Sequence, residues 1–172
     1  PRGSLRWSLS KLRRLVDDDA HKRIVADRNS VAINASDVTI DILELRTLVG
    51  GDIGAAATQD LESATGRFRG NFLEGLEFSN FHDFHTWCVA EREQALRDRA
   101  ALLTELIRRY SGEPQRALPH ARSLVSLFPY EESYRATLIR LLNDVRQPGE
   151  AEEQYQPFTT SCAPIASVRY SA

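Results

Sequence analysis

The sequence predicts a mainly α-helical fold, in which helical hairpins form a short α-solenoid after an N-terminal helix and β-hairpin. From Phe84 to the mid-150s, apolar residues recur at helical spacing, and breaks containing Gly or Pro interrupt them near residues 112–114, 129 and 148–149. Ala117 and Ala151 each follow such a break and lie 34 positions apart. This spacing is typical of stacked helical-hairpin repeats, in which a small residue allows close helix packing.

The N-terminal segment predicts one helix followed by a β-hairpin. Residues 4–16 place their apolar residues on one helical face, and three aspartates follow as a polar loop. Residues 23–27 and 30–34 are rich in β-branched residues, and Arg28-Asn29 lies between them. Because Asn tolerates the left-handed conformation, it favours a tight turn here. The apolar residues of the helix are Leu5, Leu9, Leu12 and Val16.

The middle of the chain predicts two helices on either side of a glycine-rich loop. Residues 38–40 fit one more strand, Asp41 is a plausible N-cap for a helix through Val49, and residues 55–66 fit a second helix. Residues 50–54 (GGDIG) could in principle cradle a phosphate. They follow no clear strand and precede no Lys-Ser/Thr pair, so we interpret them as a loop.

Four helices account for most of the C-terminal half. The first contains Leu103 and ends at residues 112–114, the second ends at Pro129, the third ends near residues 148–149, and the fourth begins at Ala151. Residues 157–172 lack helical periodicity and predict an irregular tail. We therefore place the domain boundaries at residues 1–36, 37–156 and 157–172.

Composition and charge limit the classes of function. The 172 residues carry a net charge of −2, but residues 1–28 carry +4 and the remainder carries −6. A basic end on an acidic body favours a polyanion contact confined to the N-terminus, although solvated helix charges are an equal alternative. No apolar run reaches membrane-spanning length, and Cys88 and Cys162 are isolated. We therefore expect a cytoplasmic protein without disulfides and without a membrane partner.

The densest group of metal-ligating residue types contains His82, His85, Cys88 and Glu91. Aromatic residues at steps of three run through the same segment and predict a packed stripe, which we favour over a zinc site. The sequence therefore predicts no metal and no cofactor, and it places Trp87 in the core. The aromatic residues of the stripe are Phe78, Phe81, Phe84 and Trp87.

No arrangement of residues predicts catalysis. The chain contains no nucleophile elbow and no nucleotide-binding fingerprint. Glu131-Glu132 and Glu152-Glu153 are adjacent pairs, and neighbouring residues on a helix do not aim at one point. We therefore expect no catalytic residues and no enzymatic activity.

The order of motifs between residues 67 and 135 resembles the bacterial transcriptional activator domain, the TPR-like helical module of SARP-type transcription regulators. The resemblance rests on residues 67–76 (RFRGNFLEGL), on Trp87 with Glu91-Arg92-Glu93, and on residues 127–135 (LFPYEESYR). It implies that residues 37–156 form this TPR-like domain, which mediates dimerisation or contacts with other proteins.

The N-terminal segment resembles the end of an OmpR-type winged helix, the DNA-binding domain that precedes the activator domain in SARP-like proteins. Residues 4–15 (SLRWSLSKLRRL) resemble its recognition helix, and residues 23–34 correspond to its wing. The resemblance implies that the helix enters the major groove of promoter DNA. The implied DNA-binding residues are Arg6, Ser10, Lys11, Arg13 and Arg14 on the helix and Arg28 on the wing.

Two interpretations remain open for the whole chain. In the first, it is a DNA-binding transcriptional regulator of SARP-like type, truncated because the earlier winged-helix elements are missing. In the second, it is a TPR-like protein–protein interaction module without DNA binding of its own. Trp7, opposite the leucines of the first helix, either contacts DNA or packs against a missing part of its own domain.

Overall fold

The computed structural model describes residues 2–76 and 81–155, with the backbone alone at Arg2. The chain divides into two compact units, with the boundary between Glu44 and Leu45. We call them the N-terminal unit (residues 1–44) and the helical unit (residues 45–172). The fold is mainly helical, as predicted. Phe78 of the aromatic stripe and the tail at residues 157–172 lie outside the described residues.

The N-terminal unit contains one long helix and one β-hairpin. Helix α1 spans Arg2–Val16, strand β1 spans Ile24–Ala26, and strand β2 spans Val31–Ile33. The strands are antiparallel, with Ile24 opposite Ile33. The strand predicted at residues 38–40 was wrong, because Ile40 already accepts the first amide hydrogen bonds of helix α2, which spans Asp41–Gly50 across the unit boundary.

The hairpin turn forms at Arg28-Asn29 as predicted, but for another reason. Among the described residues other than glycine, positive φ angles occur at Leu73 and Arg146 and not at Asn29. The turn is instead organised by Asp27, whose Oδ1 accepts the backbone N–H groups of Asn29 and Ser30, both at 2.7 Å. This side-chain turn is typical of aspartate and needs no left-handed residue.

Helix α1 has the predicted amphipathic pattern, but its apolar side is poorly covered. Leu5 is 55% exposed, Leu12 is 45% exposed and Leu15 is 81% exposed. Leu9 and Val16 are only half-buried. The packing of leucines therefore contributes little to the position of α1, and polar contacts described below hold its C-terminal end.

The described residues of the helical unit form five helices after the end of α2. They are α3 (Thr58–Arg67), α4 (His82–Arg109), α5 (Pro114–Leu127), α6 (Glu132–Asp144) and α7 (Pro148–Glu153). From α3 to α7, each helix packs against the next one in the chain. The core is formed by leucines that are at most 2% exposed. They are Leu45, Leu61, Leu102, Leu103, Leu106, Leu124, Leu138 and Leu142.

The 34-residue spacing is reflected in the burial of Ala117 and Ala151 and not in that of Ala121 and Tyr155, a second pair of residues 34 positions apart. Ala117 and Ala151 are both buried at the starts of α5 and α7, where small side chains allow close helix packing. Ala121 is also buried, whereas Tyr155, its counterpart 34 positions later, is 68% exposed. The burial pattern therefore repeats at the beginning of the fourth predicted helix and ends after α7.

The placement of Trp87 in the core was wrong. Trp87 is 46% exposed and meets Phe72 and Phe84 with ring centroids 5.9 Å and 5.5 Å apart. The buried residues of α4 lie mainly between Ala95 and Ile107, and Cys88 is the buried residue of its first half. The first half of α4 therefore extends beyond the main core, and its aromatic residues Phe84 and Trp87 are partly exposed to solvent.

Candidate nucleic-acid interface and partner groove

The basic face of α1 brings together three of the residues predicted to bind DNA. Arg6, Ser10 and Arg14 lie four residues apart and therefore project from one side of the helix, one above another. All three are exposed. This row offers two guanidinium groups and one hydroxyl to a ligand along about two turns of helix.

The other two candidates on α1 have contacts inside the protein. The ammonium group of Lys11 lies 3.9 Å from the ring centroid of Trp7, a cation–π contact between residues one turn apart. The Nε of Arg13 donates to the carbonyl oxygen of Ile24 at 3.5 Å, so this side chain points toward strand β1. Both residues remain exposed, but part of their bonding capacity is used locally.

Arg28 lies at the tip of the β-hairpin and is exposed. The turn beneath it is held by Asp27, whose pKa is lowered by hydrogen bonds from the amides of Asn29 and Ser30. These hydrogen bonds favour the ionised carboxylate, which accepts both backbone amides of the turn. The structure thus places the predicted wing residue on a well-supported loop of the N-terminal unit.

A polar clamp, which the sequence did not predict, joins the end of α1 to the hairpin. We define the clamp as Asp17, Asp18, Arg23 and Asp37. The Nη2 of Arg23 donates to Asp18 Oδ2 at 2.8 Å and to Asp37 Oδ2 at 2.5 Å. This guanidinium lowers the pKa of Asp18 to about 2 and holds the pKa of Asp37 below its ordinary value. The pairing of residues 14 positions apart in irregular segments leaves no periodic signal in the sequence.

Potential metal ligands converge in the clamp region and not at His82, His85, Cys88 and Glu91, the group that the sequence analysis considered and did not favour as a zinc site. Among the described residues, ligand atoms of Asp18, His21 and Asp37 lie within 4.8 Å of one another, and all three residues are exposed. Both aspartates already accept hydrogen bonds from Arg23, so a protein cation balances their charge. Cys88, from the sequence-derived ligand set, is a buried thiol.

The glycine-rich loop at residues 51–57 is held by Arg109 from the end of α4. Its Nη1 donates to Ala56 O at 2.7 Å, and its Nη2 donates to Ile53 O at 2.9 Å and to Gly54 O at 3.0 Å. Glu105 accepts from the Nε of the same guanidinium at 2.8 Å. The conformation of the loop is therefore explained by these contacts, in which its carbonyl oxygens accept hydrogen bonds from the guanidinium group of Arg109.

A second polar cluster closes the junction of α3, α4 and α5. The Tyr110 hydroxyl donates to Glu62 Oε1 at 2.5 Å and accepts from Arg116 Nη2 at 2.7 Å. The ring of His120 stacks on Tyr110 at a centroid distance of 6.0 Å, and burial lowers the pKa of His120. Because these groups satisfy one another, the cluster supports helix packing.

An open groove of about 850 Å³ lies along α6 and the end of α7. Ala136 and Ile139 provide its apolar surface, while Tyr130 and Tyr155 at its edges are 83% and 68% exposed. Arg135 supports the groove by donating to Pro129 O at 2.5 Å and to Gln154 O at 3.3 Å. Polar and apolar residues share the lining, and exposed tyrosines at the edge of such a surface are typical of protein interfaces.

One family of known proteins matches most of the helical unit. The family model of the bacterial transcriptional activator domain matches residues 45–163. A comparison with curated proteins gives no match, and neither does a comparison with solved structures. In the part of the chain that the structure describes, no helix has both the length and the apolar character needed to cross a bilayer.

Proposed function

The chain belongs to the bacterial transcriptional activator domain family, and on that premise we propose that it is a DNA-binding transcriptional regulator of SARP-like type. In this proposal the N-terminal unit contacts promoter DNA, and the helical unit mediates dimerisation or contacts another protein. We propose no enzymatic activity and no cofactor. The observation that carries the DNA contact is the exposed row of Arg6, Ser10 and Arg14 on α1.

The charge environment supports this assignment. Among the described residues, no carboxylate forms an ion pair with Arg6, Arg14 or Arg28, whereas Arg23, Arg109 and Arg122 are each paired with a carboxylate. Exposed guanidinium groups without acidic partners are available to phosphate oxygens or to guanine edges. A serine hydroxyl between two arginines can add a hydrogen bond to phosphate.

We assign different roles to the six predicted residues. Arg6, Ser10 and Arg14 contact the duplex directly from α1, and Arg28 contacts it from the hairpin. Lys11 and Arg13 contribute charge while they also contact Trp7 and Ile24, respectively. The supporting likeness is to the recognition helix and wing of an OmpR-type winged helix, and the helical unit is proposed to be a TPR-like solenoid.

The test is fluorescence-anisotropy binding of the chain to a labelled mixed-sequence duplex over a series of salt concentrations. The test variant is Arg6→Gln/Arg14→Gln/Arg28→Gln. The matched control is Arg69→Gln/Arg97→Gln/Arg108→Gln, which removes the same charge from exposed positions of the helical unit. We expect the test variant alone to bind weakly and to lose about two to three units of the slope of log K against log salt.

Equal loss of affinity in both triple variants would contradict the assignment of the DNA contact to the N-terminal unit. Absence of binding by the unmodified chain at low salt would contradict the DNA-binding proposal as a whole. In both outcomes the family membership, which rests on residues 45–163, is unaffected.

The groove along α6 favours a second candidate function, an interaction module without DNA binding. We propose a second copy or a protein partner as its occupant. Ala136 is exposed on the groove surface, so Ala136→Arg inserts a charge without disturbing the core. If the groove mediates self-association, analytical ultracentrifugation will show a concentration-dependent dimer that Ala136→Arg abolishes. Retention of full function after replacement of Arg6, Lys11, Arg13 and Arg14 by Ala would favour this candidate over the first.

A further inference from the structure

We propose that Arg23 and Asp37 are positioning residues for DNA binding, which hold the α1 row and the hairpin tip in one fixed arrangement without contacting DNA themselves. This inference rests on the proposed DNA contact of the N-terminal unit. It adds a role for two residues that are not among the six predicted DNA contacts.

One guanidinium group connects three segments of the N-terminal unit. The Nη1 of Arg23 donates to Val16 O at 2.5 Å, which caps the last turn of α1. Its Nη2 and Nε donate to Asp37 Oδ2, in the segment after β2, at 2.5 Å and 3.1 Å. Nη2 also reaches Asp18 in the loop after α1. Since Arg23 immediately precedes β1, the hairpin and the helix end share one anchor.

Asp17 strengthens the same junction through the backbone. Its Oδ1 accepts the N–H of Arg23 at 2.8 Å and the N–H of Ile24 at 3.1 Å. Ile24 is 7% exposed, and it is one of two buried hydrophobic residues described in this unit. The first residue of β1 is therefore fixed to the end of α1 by polar contacts of its backbone, and its side chain is buried.

Arg23 is poorly suited to contact phosphate itself. Its side chain is 20% exposed and that of Asp37 is 22% exposed, compared with 59% for Arg97, an ordinary surface arginine. Two carboxylates neutralise its charge, and its Nε, Nη1 and Nη2 groups already donate hydrogen bonds within the protein. Its value to DNA binding is preorganisation, because a ligand that must engage α1 and Arg28 together gains affinity when their separation is already set.

The decisive variant is Asp37→Asn. It removes a negative charge close to the proposed DNA surface, so simple electrostatics predicts tighter binding. If the clamp positions the surface, Asp37→Asn will instead weaken binding by about tenfold or more at constant salt, because the segment after β2 is then held less firmly to Arg23 and the hairpin tip is less fixed relative to α1. The matched control is Asp19→Asn, at an exposed aspartate outside the clamp, for which we expect unchanged or slightly tighter binding.

Two further readouts separate positioning from a loss of stability. Partial unfolding lowers the active fraction but leaves the salt slope of the folded molecules unchanged. Loss of positioning lowers the slope by about one unit, since the Arg28 contact is lost. Accordingly, Arg28→Gln should weaken binding in the unmodified chain and have little effect in the Asp37→Asn background. The exchange Arg23→Asp/Asp37→Arg keeps the net charge and should restore part of the affinity.

The outcomes distinguish the two proposals. If the unmodified chain binds DNA and Asp37→Asn binds equally or more tightly, the positioning role is overturned while the DNA-binding proposal stands. Additive effects of Arg28→Gln and Asp37→Asn would also overturn the positioning role. If the unmodified chain does not bind DNA at low salt, both proposals fail.

Discussion

The two units of the chain are stabilised by different kinds of interaction. The helical unit has a core of leucines that are at most 2% exposed, supplied by α2, α3, α4, α5 and α6. Among the described residues of the N-terminal unit, the buried hydrophobic side chains are Ile24 and Ile42, and α1 leaves Leu15 81% exposed. In that unit, the hydrogen bonds of the clamp around Arg23 hold the segments together, as the hydrophobic core does in the helical unit.

Because of this difference, the two units should lose their structure under different conditions. Apolar burial stabilises by about 25 cal/mol per Å² and depends little on salt or pH. Exposed ion pairs are weak singly and are screened by salt, so they fix geometry more than they add stability. We expect truncations of apolar side chains to damage the helical unit, and changes of charge to damage the N-terminal unit.

The largest effect is expected from Leu106→Ala. Leu106 is fully buried on α4, and loss of its side chain leaves a cavity that should reduce the free energy of unfolding by about 2–5 kcal/mol. Thermal unfolding followed by circular dichroism measures the change. Leu15→Ala, at an exposed leucine of α1, should change it by less than about 0.5 kcal/mol. Equal effects of the two substitutions would contradict the claim that only the helical unit depends on a core of buried leucines.

Trp87→Ala should have an intermediate effect. Because Trp87 is 46% exposed, we expect a loss of about 1–2 kcal/mol from its contacts with Phe72 and Phe84. A fully buried tryptophan would cost about 3–5 kcal/mol. Denaturant unfolding of the two chains distinguishes these values, and a loss in the higher range would show that Trp87 is covered in solution.

Arg146→Gly should be stabilising. Arg146 lies two residues after α6 and has φ at 60°, and Gln147 N donates to Leu142 O at 2.8 Å in the pattern of a Schellman cap. A left-handed residue with a Cβ costs about 1–2 kcal/mol, which glycine avoids at some expense in chain entropy. We expect a net gain of about 0.5–1 kcal/mol, seen as a higher melting temperature. A lower melting temperature would show that the Arg146 side chain contributes contacts that outweigh the backbone strain.

Acid should loosen the N-terminal unit locally, the smallest of these effects. The pKa of Asp18 is lowered to about 2 from a model-compound value of 3.8, chiefly by its hydrogen bond from Arg23. A lowered carboxyl pKa means that the stabilisation is complete above about pH 4 and is lost as the pH falls toward 2. Amide hydrogen exchange at Arg23 and Ile24, corrected for intrinsic rates, should accelerate in this window, and Asp18→Asn should remove part of the change. Unchanged protection down to pH 2 would contradict the role of the clamp.

The sequence predicted the elements that have a periodic signal. The amphipathic pattern of α1, the β-branched strands around Arg28-Asn29 and the Gly/Pro breaks between α4 and α7 all appear in the structure. Ala117 and Ala151 are buried, as a repeat of small residues requires. These predictions succeeded because burial on one face imposes spacing on the chain.

Features that depend on contacts between irregular segments were missed. Arg23 with Asp37 and Arg109 with the carbonyl oxygens of residues 53–56 join positions with no common period. Trp87 was misplaced because its spacing relative to Phe84 shows which residues are neighbours and does not show how far the core extends along α4. The strand at residues 38–40 was wrong because α2 begins at once after them. The roles of the six predicted DNA-binding residues remain predictions.

The most direct test of the account is NMR mapping of duplex DNA binding on the ¹⁵N-labelled chain. If the N-terminal unit contacts DNA, chemical-shift changes will fall on the amides of α1 and of residues 27–30. The core of the helical unit, including Leu102 and Leu142, will be unaffected. Changes centred on the groove of α6, or no changes at low salt, would contradict the assignment of DNA binding to the N-terminal unit.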